Sequence, residues 1–136
     1  NYVLRHTGKK TTCEINASGA LRDAARKIFR GAIDFKHGSA GSAGDEKETV
    51  LLLGDDVVNQ TVPLILCAEE DVAGNHGATI GRLDEDTLLY FASRGIPEAE
   101  AADLLSRAIM ESLAQKMGDE HAAEALRSFV TGGEEA

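Results

Sequence analysis

Strands first and helices second is the architecture this sequence predicts, and three observations carry it. Up to about Gly81 the apolar residues alternate with a period of two or form short runs. Beyond Gly81 they recur with the helical period. The connections between the strand-like runs are too short for helical crossovers, which disfavours a Rossmann fold. The expected fold class is therefore mainly β then α, with residues 1–80 forming sheet and residues 81–136 a small helical domain.

In the first part, Thr11, Cys13 and Ile15 alternate with Thr12, Glu14 and Asn16, as on a half-buried strand. Phe29, Gly31, Ile33 and Phe35 alternate in the same way with Arg30, Ala32, Asp34 and Lys36. Val50–Leu53, Val57–Val58 and Leu64–Cys67 are compact apolar runs bounded by polar residues or glycine. Short strands at roughly ten-residue spacing indicate a sheet built by repetition. Leu21, Ala24, Ala25 and Ile28 also fit a 3.6-residue period, and strand is assigned from Lys27 onward. The run His37–Gly44 is rich in glycine, serine and alanine with little to bury, so a mobile loop is expected over 37–48. No serine in it fits the GxSxG nucleophile elbow.

In the second part, Asp84 caps a helix over Glu85–Arg94, with Glu85 and Asp86 in its first turn and Gly95 as a left-handed stop. Pro97 opens the next helix, whose stripe is Ala101, Leu105, Ala108, Ile109 and Leu113 and which Gly118 ends. Asp119 caps a third, with Ala122, Leu126, Phe129 and Val130 inward, Gly132–Gly133 after it and a frayed tail Glu134–Ala136.

Composition narrows the function classes. The 136 residues suffice for one domain and a small second one, and 43 % apolar with 27 % charged residues is enough to bury a core. Aromatic residues make up only 4 %, without Trp, which disfavours stacking platforms for nucleic acid. A net charge of -9 repels phosphate backbones and anionic lipid. No apolar run approaches the roughly 20 residues needed to span a bilayer as a helix. Asn1–His6 has neither an initiator Met nor a signal-peptide layout, so the chain is expected to be cut from a longer protein. Cys13 and Cys67 lack CxxC partners, read as small buried hydrophobes, and point to a reducing cytoplasm. The sequons Asn16-Ala17-Ser18 and Asn59-Gln60-Thr61 carry no weight alone.

Chemical motifs are few. Gly8-Lys9-Lys10-Thr11 matches only the end of a phosphate loop, because Val3 stands where the earlier glycine belongs. Asp55-Asp56, Glu69-Glu70-Asp71 and Asp84-Glu85-Asp86 match no calcium loop and read as caps and solvated turns. The segment Asp71–Thr79 stands out, since His76 beside Gly77 and close to Gly74 has room to present its imidazole at a surface. It reads either as a hydrogen-bonded turn histidine or as a metal ligand or base. A nucleophilic pair of Cys67 with His76 would require the fold to bring them together.

Asp71-Val72, His76-Gly77-Ala78-Thr79-Ile80-Gly81-Arg82-Leu83-Asp84, Leu88-Leu89-Tyr90-Phe91 and Ser93-Arg94-Gly95-Ile96 together resemble the C-terminal signature of the SufB/SufD family. HGAT at His76–Thr79, where the SufB branch reads HEAT, makes the likeness SufD-like. The resemblance is strongest from about Pro63 to Ala108. With Phe29–Ile33 and Leu51–Leu53 it extends over roughly Leu21 to Leu113.

This resemblance implies the last rungs of a right-handed parallel β-helix followed by a helical C-terminal domain. It implies a non-catalytic scaffold subunit for iron–sulfur cluster assembly, which pairs with a SufB-like protein and docks a SufC-type ATPase through its helical end. The cluster would be held transiently in the assembled complex, and none by this chain alone. The family commonly places Cys two residues before the histidine; that position is Gly74 here, so His76 alone carries over as an iron or cluster ligand. Tyr90, Phe91, Arg94, Ile96, Leu104, Leu105 and Ile109 are the docking candidates, and they read equally as helical core. A severed rung stack exposes unpaired edges, so self-association is expected. The alternatives are a stand-alone metal-binding protein using His76, a Cys–His enzyme, and a general protein interaction module.

Overall fold

The computed structural model describes residues 1–131, so the stretch Gly132–Ala136, with its expected glycine stop and frayed tail, lies outside the described residues. Six strands precede three helices: β1 (Tyr2–His6), β2 (Thr12–Arg22), β3 (Arg26–Phe35), β4 (Ser42–Leu53), β5 (Val58–Cys67), β6 (Val72–Gly81), α1 (Glu85–Ala92), α2 (Glu98–Ala114) and α3 (Glu120–Thr131).

The strands form two three-stranded sheets, β1-β3-β5 and β2-β4-β6, and every neighbouring pair is parallel. Parallel neighbours need a long connection to return the chain to its starting end. Here a strand of the opposite sheet supplies it, so the chain coils without helices and each turn adds one strand to each sheet. The turns stack as well: Lys10 N–H donates to the Ala40 carbonyl at 3.0 Å and Gly41 N–H to that of Asp71 at 2.6 Å. Pro63 is tolerated because β5 is an edge strand with β3 as its one partner, and a missing N–H can face outward there.

The alternations seen in the sequence set which side chains face between the sheets. Ile15, Phe29, Ile33 and Phe35 form the core, with Leu4, Cys13, Ala17, Ile65 and Val72 packed against it. Ile33 and Phe35 are completely buried, each stabilising the fold by about 1.5–3 kcal/mol relative to exposure.

Two sequence expectations need correction. The stretch 42–48 is not a mobile loop but the first half of β4, paired residue by residue with β2 and β6. Its Ser42, Gly44, Glu46 and Glu48 alternate inward, a two-residue period hidden by small and charged residues. The turn before it is confined to 36–41. His76 lies not in a turn but in the middle of β6.

The helices close one side. Asp84 caps α1 by accepting from Thr87 N–H, and Gly95, at φ 77°, makes the left-handed reversal in which Ile96 N–H returns to the Phe91 carbonyl. Pro97 is the cap of α2 rather than its first helical residue, and α2 ends at Ala114, before Gly118. Asp119 caps α3, accepting from His121 and Ala122 N–H at 2.9 and 3.2 Å. Arg22 of β2 ties sheet to helix, donating to Asp103 Oδ1 at 2.9 Å and Ser106 Oγ at 3.0 Å. Ala101, Ala114 and Ala123 are buried, whereas Phe129, expected inward, is 81 % exposed.

Candidate functional site

His76 occupies the column Ile15–Glu46–His76 on the inner face of the second sheet. It is exposed, β6 being an edge strand with no further strand beyond it among the described residues. Beside it Asn75 points outward and donates to Asp45 Oδ1 at 3.0 Å. Below it lies Glu46, only 3 % exposed, with Oε2 lacking a hydrogen-bond partner. Burial above all pushes the Glu46 carboxyl up; the nearby His76 imidazole pulls it down, and Glu48 pushes it up again. Glu48 is buried two residues along and paired with Lys27 Nζ, which also donates to Asn59 Oδ1 at 3.2 Å. Along this column the inner face changes from apolar Ile15 on β2 to a carboxylate on β4 and an imidazole on β6.

Gly74 has a packing reason. A Cβ there would lie 2.8 Å from Ile65 Cγ2 and 3.2 Å from the Phe35 ring, so the core leaves little room for the cysteine that the resemblance implied at this position. Among the described residues, no group of three or more His, Cys, Asp or Glu is placed to hold a metal ion. His76 and Glu46 could contribute only part of one.

The thiols behave differently from each other. Cys67 is exposed, contrary to its expected burial, because it ends an edge strand of the first sheet, whereas His76 lies in the second. The imidazole within hydrogen-bond reach of a thiol is that of His6, 3.0 Å from Cys13. His6 stands in no recognisable motif of the sequence. Its only signal was the close spacing of His6, Thr11 and Cys13 around one turn.

The docking candidates divide into two sets. Tyr90 is 54 % exposed, packs edge-on against Phe91 and lies under the Arg94 guanidinium, 3.6 Å from the ring centroid. Leu104 is also exposed, while Phe91 and Ile96 are half-buried. Leu105 and Ile109 instead line the cleft between α2 and the sheet, with Thr49 and Leu51. Both are half-buried.

Comparison with known proteins places these features in a family. The model described as "SUF system FeS cluster assembly, SufBD core domain" matches residues 1–109, starting well before Leu21, where the motif resemblance begins. The chain therefore belongs to the SufBD family of the SUF system. It is 30 % identical over 125 residues to the iron-sulfur cluster assembly protein SufD of Bacillus subtilis, covering 92 % of this chain and 29 % of that protein. It is 30 % identical over 124 residues to an iron-sulfur cluster assembly SufBD family protein of Mycobacterium leprae, covering 91 % and 14 %. A SufBD family protein of Staphylococcus saprophyticus is 24 % identical over 122 residues, covering 90 % and 26 %. The chain spans less than a third of the length of these relatives. Among the described residues no helix is long and apolar enough to cross a membrane.

Proposed function

We propose that this chain is the C-terminal part of a non-catalytic scaffold subunit for iron–sulfur cluster assembly, of SufD type and acting in the cytoplasm. The observation that carries the reading is the match to the SufBD core over residues 1–109, with the motif histidine at the open inner edge of β6. The coil of alternating parallel strands is read as the last rungs of a right-handed parallel β-helix, followed by the helical domain.

In this reading a SufB-like protein meets the free edges of β5 and β6, where unpaired backbone groups and the exposed Val62, Leu64 and Leu66 await a neighbour. The nascent cluster is cargo at that junction, and a partner must supply most of its ligands, since this chain offers His76 and a buried carboxylate but no thiolate at Gly74. A SufC-type ATPase docks on the exposed side of α1 and α2, around Tyr90, Arg94 and Leu104. Aromatic and arginine anchors of this kind are favoured at interface centres.

Calorimetric titration of the chain with the SufC-type ATPase from the same source tests the docking surface. Binding that weakens about tenfold or more in Tyr90→Ala and Arg94→Glu, with helicity unchanged, supports it. Equal binding by both variants removes the surface from the proposal.

A further inference from the structure

The two sheets differ on their outer faces. α2 packs on the second sheet against β2, where the outward Arg22 donates to Asp103 Oδ1 of the helix at 2.9 Å. The first sheet has no such cover among the described residues: Val3, Ile28, Val62, Leu64 and Leu66 are each between 43 % and 55 % exposed. They alternate with the core-facing Phe29, Ile33 and Ile65 and therefore point outward. Ala32, in register between Val3 and Leu64, is buried, so the larger side chains around it close into one surface.

Parallel sheets are normally covered on both faces, and a contiguous exposed apolar patch marks an interaction surface. The charge on this one says what it accepts. The outward side chains of β1, β3 and β5 include three arginines, Arg5, Arg26 and Arg30, against one acid, Asp34. Arg26 and Arg30 flank Ile28 on the central strand and make no hydrogen bond or ion pair among the described residues. Asp34 lies between two cations, 3.5 Å from Arg5 Nε and 2.8 Å from Lys36 Nζ. On a chain of net charge -9, this face is positive.

We propose that the outer face of the first sheet is a docking surface for an acidic amphipathic helix of a separate protein, laid along β3 and β5. Leucine-like side chains of the helix cover Ile28, Val62 and Leu64, and its flanking carboxylates meet Arg26 and Arg30, as Asp103 meets Arg22 on the second sheet. The outward positions of β5 run from Val58 to Leu66, about 26 Å at the usual rise, which a helix of about 18 residues matches. The helix on the second sheet, α2, has 17 residues. A second copy of this chain is disfavoured, since a two-fold contact would bring two positive faces together. Pairing at the β5 edge engages backbone groups in the plane of the sheet and leaves this face free. A further strand beside β1 would widen the face rather than cover it.

The probe is a synthetic helix of about 18 residues with leucine along one face and glutamate on its flanks, titrated against the full chain by fluorescence anisotropy. Its control carries lysine in place of glutamate. The expected result is one-to-one binding of the acidic peptide, about tenfold or more tighter than the lysine peptide, and a loss of about tenfold or more in Arg30→Glu and in Ile28→Asp. Lys47→Glu, on the second sheet, leaves the affinity within about twofold. Circular dichroism shows which variants fold; if Ile28→Asp does not, Arg30→Glu and the milder Arg30→Gln decide. No binding overturns the inference, as does equal binding of the two peptides or equal affinity in the variants. A dimer of the parent chain that the acidic peptide dissociates, read by light scattering, assigns the face to a second copy and overturns it too. The titration is repeated on the whole subunit of which this chain is read as the C-terminal part. Unchanged binding there supports a separate partner, and loss there alone assigns the face to another part of the same polypeptide and overturns the proposal.

Discussion

The Glu46 carboxylate occupies the space that Gly31 leaves by having no side chain. Glu46 starts in the second sheet and reaches across the interior to β3 of the first, and a Cβ on Gly31 would overlap both its oxygens. With Glu46 only 3 % exposed, the carboxylate has little room to retreat. Gly31→Ala is therefore expected to destabilise the fold by about 1–3 kcal/mol, the usual cost of overpacking. Urea unfolding of Gly31→Ala and of the double variant with Glu46→Ala checks it: the second change should recover part of the loss, and strict additivity would show that the two positions do not meet.

The same carboxyl makes stability depend on pH. Burial chiefly, then repulsion from Glu48, raise its native pKa above the unfolded value against the opposing pull of His76. A raised carboxyl means the native state binds the proton more tightly. Its contribution is fully present below the unfolded pKa and is lost as pH rises through the native one. Glu46→Gln should thus be more stable than the parent at neutral pH, with the difference shrinking on acidification. Midpoints of urea unfolding measured across the acid range for both proteins read this directly, and a difference that grows on acidification would reverse the assignment.

A cysteine at position 74 has a steric cost. Gly74→Cys places a Cβ against Ile65 and Phe35, so a loss of about 1–3 kcal/mol is expected. Ile65→Val beside it should return part of that stability. Thermal unfolding of the three proteins checks the order, and a fully stable single variant would mean that the core yields at this point.

Free strand edges have a consequence in solution. β5 and β6 are unpaired on one side, and Val62, Leu64 and Leu66 stand exposed on β5. Self-association is expected, and Leu64→Lys should reduce it through charge on the edge. Light scattering against concentration measures this; a parent chain that stays monomeric throughout would refute it.

Much of this organisation is legible in the residues because it depends on local chemistry. The alternation through Phe29, Ile33 and Phe35, the caps Asp84 and Asp119, and the reversal at Gly95 each follow from a preference of the chain over a few residues. The start of β4 and the whole of β6 do not. Ser42–Glu48 and Val72–Gly81 are rich in glycine and polar residues, with weak intrinsic strand preference, and they become strands because the parallel ladders on either side or on one side satisfy their backbone. That context is absent from any short window of sequence.

The site divides along the same line. His76 could be singled out from its small neighbours and its motif, since a histidine near glycines announces itself in one dimension. The pairing of His76 with Glu46, the closure of the core over Gly74 and the meeting of His6 with Cys13 required the coil. Local chemistry sets which segments alternate, which stretches are helical and where α1 and α3 are capped, and it supplies inner faces able to bury a core. The register that stacks one turn on the next comes from pairing between distant segments. In a parallel coil that register brings together residues about thirty positions apart, through backbone hydrogen bonds that every residue type except proline can make.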